Sequence, residues 1–271
     1  MGAARKASRY SLRMKVVLFA GGLGSRMREE TEFRPKPMTE IGGRPVLWHI
    51  MKIFAHYGHN EFVICAGYKA QMIKQFFLDY SAHTSDFTVQ LDGSDSPVFH
   101  GSHGEKDWTV TVVDTGLETQ TGGRLAQVRP YVGDAPFLCT YGDGIAPVDI
   151  GRLLQHHKES GRAASMTVTR PSSRFGVVET EADGMVTSFR EKPTGDDLVN
   201  IGFFVFNDQV FRGLNADTVL EEGPLRRLAA EGQLSSFEHD GFWKPMDTFR
   251  EYQELNGLWN NGNAPWKIWR S

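Results

Sequence analysis

Lys15-Val16-Val17-Leu18-Phe19-Ala20-Gly21-Gly22-Leu23-Gly24-Ser25-Arg26-Met27 is the stretch from which the fold can be read. Its first six residues form an apolar run, and Gly21-Gly22 stop it, which reads as a buried strand feeding a tight turn. Working outward, residues 61–66 (EFVICA) form a second such run. Between them, Leu47, Ile50, Met51 and Phe54 recur at helical spacing, with Pro45 suited to the first helical position and Gly58 to the end. Met72, Ile73, Phe76 and Phe77 mark another helix face, and residues 108–113 and 136–141 read as further strands. This alternation predicts an α/β layered fold with a largely parallel sheet. Ligands in such folds sit beyond the carboxyl ends of the strands, so chemistry is expected in the loops after residues 20, 66, 113 and 141.

The second half continues with strand-like pieces at 163–169, 175–179, 185–189, 200–206 and 235–239, and short helices near 208–214, 224–231 and 248–259. Residues 14–271 read as one domain without a linker, divided into a part at 14–160 and an elaborated C-terminal part at 161–271; residues 1–13 form a basic tail outside it, expected to be disordered. Residues 82–107 are polar and aperiodic, an insertion suited to a lid or an oligomer contact. Their His83, His100 and His103 fall at no metal-ligand spacing and are expected to be solvated. Trp259, Trp266 and Trp269 make an aromatic tail that should dock on its own domain or on a neighbouring subunit.

Composition narrows the class. The chain has 271 residues and a net charge of −3; its first thirteen residues carry +4 (Arg5, Lys6, Arg9, Arg13), leaving −7 on the remainder. Such a body does not suit nucleic acid or an anionic membrane surface, and an anionic substrate then needs a local cationic pocket. Cys65 and Cys139 each sit inside a strand-like run and read as buried inert thiols, consistent with a reducing, cytoplasmic setting.

Five constellations carry chemistry. The glycine turn at 21–24 with Ser25 and Arg26, followed by Arg34-Pro35-Lys36-Pro37-Met38, offers backbone N–H groups and two cations for a triphosphate. Neither the Walker A spacing nor the dinucleotide fingerprint is met, since Arg26 and Met27 stand where those patterns need other residues. Thr140-Tyr141-Gly142-Asp143-Gly144 places an acid at a strand end, where Mg²⁺ beside a nucleotide is well served, though an Asp-Gly turn fits equally. Trp243-Lys244-Pro245-Met246-Asp247-Thr248 supplies a second carboxylate, with Asp247 or Thr248 also suited to capping a helix. Arg190-Glu191-Lys192-Pro193 offers a lysine for a phosphate or a plain charged turn. Asp114-Thr115-Gly116 with Thr121-Gly122-Gly123-Arg124 permits close approach of a base or phosphate at a helix start.

Taken in order, these segments resemble the sugar-1-phosphate nucleotidylyltransferases, and within them the glucose-1-phosphate cytidylyltransferases. The resemblance runs from Met14 to Trp269, through AGGLGSRM, RPKPM, EIGGRPVLWHIMK, VDTG, TGGR, FLCTYGDG, RFGVVE, FREKPTGD, GFFVF, GFWKPMDT and APWKIW. It implies a GT-A-like (Rossmann-like) layered α/β fold with a mixed, mostly parallel central sheet and a C-terminal sugar-binding elaboration. It also implies Mg²⁺ and in-line attack by the sugar phosphate on the α-phosphorus of an NTP. On this resemblance Arg26 and Lys36 are the catalytic cations, and Asp143 and Asp247 the metal pair. Gly21, Gly22, Gly24, Ser25, Gly122, Gly123, Arg124 and Asp143 fall where nucleotide binds; Lys192, Glu191, Asn200 and Gly176 fall near the sugar phosphate.

Two departures stand out: Ser25 replaces the commoner threonine, and Asn200-Ile201-Gly202 stands where the glucose enzymes show Asn-Gly-Gly. If Ile201 faces the sugar pocket, another sugar is preferred; if it faces the core, nothing changes. The expectation is CMP transfer from CTP to a sugar 1-phosphate, first glucose 1-phosphate, by a cytoplasmic homo-oligomer. The alternatives are another NTP, a modified hexose or heptose 1-phosphate, or a subunit that binds nucleotide or sugar without catalysis.

Overall fold

The computed structural model describes residues 13–24, 27, 31–101, 103–171, 177–182, 184–190, 195 and 197–270. Ser25, Arg26, Gly176, Glu191 and Lys192, singled out above, lie outside the described residues.

Eight strands build the central sheet: β1 (Lys15–Ala20), β2 (Glu61–Ala66), β3 (Thr109–Asp114), β4 (Phe137–Tyr141), β5 (Ala164–Thr169), β6 (Val199–Asn200), β7 (Phe204–Phe206) and β8 (Leu234–Glu238). Across the sheet they run β3-β2-β1-β4-β7-β5-β8, with β6 and β7 both on one side of β5. Strands β1 to β4 pair in parallel, β8 is parallel to β5, and β6 and β7 are antiparallel to their neighbours. The sheet is therefore mixed and mostly parallel, as expected.

The longer helices among the described residues are α1 (Val46–His56), α2 (Ala70–Leu78), α3 (Thr121–Val132), α4 (Ile150–Ser160), α5 (Pro224–Ala230) and α6 (Phe249–Asn260). They cover both faces of the sheet, and the strand period shows it directly. Val16, Leu18 and Ala20 of β1 enter one core with Leu47, Ile50 and Phe54 of α1. Val17 and Phe19 enter the other with Leu125 and Val128 of α3. Each buried Val, Leu, Ile or Phe among these contributes roughly 1.5–3 kcal/mol, which is why a strand at the sheet centre has no polar face.

The order of the sheet positions the site. From β1 the chain moves outward through β2 to β3, then returns to lay β4 on the opposite side of β1. The carboxyl ends of β1 and β4 thus flank the point where the winding reverses, and a crevice opens there. The Gly142 N–H donates to the Phe19 carbonyl at 2.9 Å and fixes its two lips.

Several expectations change in detail. Pro45 keeps an extended backbone (ψ 143°) just before α1, which begins at Val46. Residues 208–214 hold only a 3₁₀ turn, Asp208–Phe211. The expected strand 200–206 is broken: β5 pairs with Asn200 and with Val205, and the register shifts by two residues between them. Gly202 and Phe203 take positive φ (82° and 50°) to make that kink. The insertion folds as a short helix, Tyr80–Thr84, and an exposed hairpin of Asp86–Thr88 with Val98–His100. His83 and His100 are exposed, while His103 is half-buried, 3.6 Å from Glu105.

The aromatic tail docks on its own domain. Trp266 is fully buried, and His49 of α1 lies among Trp259, Trp266 and Trp269. His49 Nε2 lies 2.8 Å from the Ile41 carbonyl, and the Trp266 indole donates to Nδ1 at 3.3 Å. Burial pushes His49 down to about 4, so it stays neutral and bonds as donor at one nitrogen and acceptor at the other. Cys65 and Cys139 are buried, and burial raises both thiols, Cys65 to about 12. Among the described residues no helix is long and apolar enough to cross a membrane.

Candidate active site

A cleft of about 420 Å³ lies at the reversal point, walled by the glycine turn 21–24, residues 117–121, Lys36, Arg124, Tyr141, Asp143 and Asp247. Its lining combines loops after β1, β3 and β4, three of the four named in advance; the loop after β2 joins through Arg124, which reaches its edge.

One corner is acidic and cationic at once. Lys36 opens the 3₁₀ turn Lys36–Met38, between Pro35 and Pro37, which hold its backbone in place. Asp143 follows β4. The short strand Gly144–Ile145 then pairs with Lys244–Pro245, and the Met246 N–H donates to the Asp143 carbonyl at 2.9 Å. That clip carries Asp247 to Asp143 across a hundred residues of chain. The capping ambiguity resolves as well: Thr248 caps α6 in a reciprocal box with Glu251, while Asp247 turns its carboxylate to Lys36. The Lys36 ammonium lies 2.6 Å from an oxygen of Asp143 and 2.6 Å from an oxygen of Asp247. Burial alone would lower Lys36, but the two carboxylates outweigh it and hold the lysine above its ordinary value.

Two carboxylates converging on one cation are the oxygen donor set that suits Mg²⁺. Among the described residues no group of three or more His, Cys, Asp and Glu is arranged to hold a metal. An ion at Asp143 and Asp247 would need phosphate oxygens and water to complete its shell, which is the habit of Mg²⁺ at nucleotide sites.

The opposite corner belongs to Arg124, only 5% exposed. Its guanidinium donates to the carbonyls of Ala66, Gly116, Gly21 and Leu117 at 2.8–3.2 Å and to the Thr115 hydroxyl at 2.6 Å. It therefore ties the loops after β1, β2 and β3 into one wall. A side chain at position 21 would place its Cβ 2.1 Å from the guanidinium and push Arg124 off the carbonyls it holds; at Gly22 nothing lies within 4 Å, and the backbone is open to the cleft.

Gly122 and Gly123 are placed differently from expectation. Both N–H groups donate to the Thr218 carbonyl, at 2.8 and 3.2 Å, and a Cβ on Gly123 would meet the Ala216 carbonyl oxygen at 2.4 Å. They allow the 215–218 loop to pack on the start of α3, and it is their neighbours Gln120, Thr121 and Arg124 that line the cleft. Asn200 sits at the kink of the antiparallel strand: its Nδ2 donates to the Tyr141 hydroxyl at 3.2 Å and its Oδ1 accepts from the Gly202 N–H at 2.9 Å. Ile201 is 3% exposed and belongs to the core on the α1 side, so its bulk takes no space in the cleft.

Sequence reading passed over residues 117–119 and gave no role of their own to Tyr141 or to Thr121, which opened the motif quoted for Gly122, Gly123 and Arg124. Tyr141 stood inside the motif quoted for Asp143, and its place on the wall follows from being the last residue of β4. A larger hollow of about 610 Å³ lies between α2 and β3, away from the glycine turn; its one deeply buried acid, Glu105, is engaged by Lys52 at 2.9 Å.

Comparison with known proteins agrees with this geometry. The model of the nucleotidyl transferase family matches residues 15–254. The glucose-1-phosphate cytidylyltransferases of Salmonella typhi and Salmonella typhimurium are each 49% identical over 259 residues, covering 94% of this chain and all of theirs. Among solved structures, HddC from Yersinia pseudotuberculosis superposes with a TM-score of 0.66 at 19% identity, covering 91% of this chain and 99% of that one, which shows the shared GT-A-like fold. The family match over residues 15–254, together with relatives 49% identical along their whole length, places the chain in the nucleotidyl transferase family.

Proposed function

We propose that the enzyme transfers CMP from CTP to a sugar 1-phosphate, glucose 1-phosphate first, and releases pyrophosphate. The observation that carries this reading is the convergence of Lys36, Asp143 and Asp247 at the end of a glycine-walled cleft. The choice of cytosine and of glucose rests on the two Salmonella relatives. The core position of Ile201 supports glucose, since the departure from Asn-Gly-Gly leaves the cleft unfilled.

In the reaction, an oxygen of the sugar phosphate bonds to the α-phosphorus while the bond to the bridging oxygen of the β-phosphate breaks. Asp143 and Asp247 would hold Mg²⁺, which when bound neutralises charge on the phosphates. Lys36, kept protonated by those acids, stands as a fixed cation where the leaving group gains charge. Gly22 and its neighbours offer backbone to the triphosphate. By resemblance Arg26 and Ser25 serve the same phosphates, and Lys192, Glu191 and Gly176 the sugar phosphate. On the same resemblance Asn200 meets the sugar, and Tyr141, which lines the cleft and accepts from the Asn200 amide, is our further choice for a sugar contact. The exposed hairpin, with Phe87, Val98 and Phe99 in the open, is our choice for a contact between copies of the chain. Buried thiols fit a cytoplasmic setting.

The test is pyrophosphate release with Mg²⁺, pairing CTP, UTP, ATP, GTP and dTTP with glucose 1-phosphate and other sugar 1-phosphates. Release with CTP and glucose 1-phosphate is expected. Release with CTP and another sugar alone keeps the reaction and moves the specificity. Silence with every pair favours a binding subunit.

A further inference from the structure

Behind the wall of the cleft sits a carboxylate that the reaction scheme does not use. Glu221 is half-buried beside α5, and it is not among the residues facing the cleft. Two hydroxyls that do face the cleft both end on it. Tyr141 Oη donates to Glu221 Oε1, and Thr121 Oγ1 donates to Glu221 Oε2 at 3.0 Å. Thr121 Oγ1 in turn accepts the Leu220 N–H at 2.9 Å. Beyond Tyr141 the chain of bonds runs on: Asn200 Nδ2 to Tyr141 Oη at 3.2 Å, then Gly202 N–H to Asn200 Oδ1 at 2.9 Å.

The direction of every bond in this chain follows from its end. An ionised carboxylate only accepts, so each hydroxyl must spend its single proton on Glu221. Tyr141 Oη is then left as an acceptor, and only the NH₂ end of Asn200 can meet it. The oxygen end of Asn200 must face the Gly202 N–H. Burial and the neighbouring Glu221 both raise the Tyr141 phenol, so it keeps the proton it donates. The amide is thus oriented from two sides, by an acid at one end and by a kink at the other. The kink itself is held open: the Phe203 N–H donates to Thr140 Oγ1 at 3.1 Å, and Thr167 Oγ1 donates to the Phe203 carbonyl at 2.8 Å. Positive φ at a bulky residue is costly and persists where surrounding bonds over-determine it, commonly at ligand sites.

We infer that Glu221 is a positioning residue for sugar specificity: acting through Tyr141, it holds in place for the sugar the Asn200 amide that the Gly202 N–H has already turned. The inference rests on the reading that Asn200 and Tyr141 meet the sugar of a sugar 1-phosphate. It predicts that removing the acid loosens recognition of sugar hydroxyls more than it weakens the nucleotide, although Thr121, at the start of α3, loses its bond to the same carboxylate.

The experiment is steady-state pyrophosphate release by the full chain, with KM taken separately for CTP and for glucose 1-phosphate. It compares wild type, Glu221→Gln, Glu221→Ala, Tyr141→Phe and the Glu221→Gln/Tyr141→Phe double variant. Glutamine keeps the size of the side chain and guards against misfolding, which thermal melting checks. The expected result is a glucose 1-phosphate KM raised about tenfold in both Glu221 variants, the loss of one charged hydrogen bond. KM for CTP and kcat should stay within about twofold, and the preference for glucose 1-phosphate over galactose 1-phosphate should narrow. In the Tyr141→Phe background, Glu221→Gln should add less than about twofold, because the acid acts through the phenol. Equal rises in both KM values, or effects that multiply fully in the double variant, would overturn the inference. If wild type turns over glucose 1-phosphate and Glu221→Gln matches it, the inference fails alone. If wild type releases pyrophosphate with no sugar 1-phosphate, the proposed function fails and the inference with it.

Discussion

Two cations face the same cleft from opposite corners, and the protein has buried them in different ways. Lys36 sits between two carboxylates at 2.6 Å each, so its corner carries a net negative charge. Arg124 gives its hydrogen bonds to four carbonyls and a hydroxyl, so its corner keeps the positive charge of the side chain. The first arrangement gathers groups that attract a divalent ion and phosphate. The second joins loops and holds a wall in shape. From sequence both were basic residues near glycines, and what separates them is the partner each finds. A base buried for chemistry is met by acids; one buried for architecture is met by main chain. His49 shows the third solution, which is to give up the charge.

The sharpest way to break the comparison is at Asp143. Asp143→Asn leaves Lys36 a hydrogen-bond partner but removes one of the acids proposed to hold the metal, and pyrophosphate release should fall about a hundred- to a thousandfold while nucleotide binding persists. Undiminished turnover in that variant would remove the acidic corner from the chemistry. At the other corner, Arg124→Met should cost about 3 kcal/mol and lower Tm by roughly 6–12 °C, read by thermal denaturation. A variant that melts like wild type yet loses nucleotide affinity would make Arg124 a ligand group and merge the two corners.

Smaller effects separate the two glycine pairs that flank these cations. Gly123→Ala drives a Cβ to 2.4 Å from the Ala216 carbonyl oxygen and should lose about 1–3 kcal/mol of stability. Gly22→Ala meets nothing within 4 Å, so the melting temperature should hold while KM for the nucleotide rises a few-fold. Swapped outcomes would invert the assignment. The least effect is expected at the neutral base. His49 titrates near 4 in the fold against an ordinary 6.5, so the unfolded chain binds more protons between those values. Stability should therefore decline as pH falls from 6.5 to 4, and His49→Gln should flatten that decline in part, leaving the share of His59, also pushed down to about 4 by burial. Urea titrations across that range measure it.

How far the sequence speaks follows the same division. The strands KVVLFA, EFVICA and FLCTY were legible because a central parallel strand is buried on both faces and has to be apolar. Asp143 was legible as a strand-end acid flanked by glycines. Gly122 and Gly123 were not, because a glycine that admits a ligand and one that admits a neighbouring carbonyl are the same residue type. The kink at Gly202-Phe203 was read as continuous strand, since phenylalanine favours strands and its positive φ is set by Thr140 and Thr167, far along the chain. Glu221 carried no local signal at all. Its role depends on two hydroxyls, 100 and 80 residues away, turning toward it.

The clip between Gly144–Ile145 and Lys244–Pro245 has a consequence for how the protein is made. During synthesis the glycine turn, the first acid and four parallel strands emerge long before the second acid does. A ribosome that stops short of residue 247 releases a polypeptide with much of the cleft wall and only one of the two acids that meet Lys36. On the proposed reaction, activity would then wait for the segment that closes the clip.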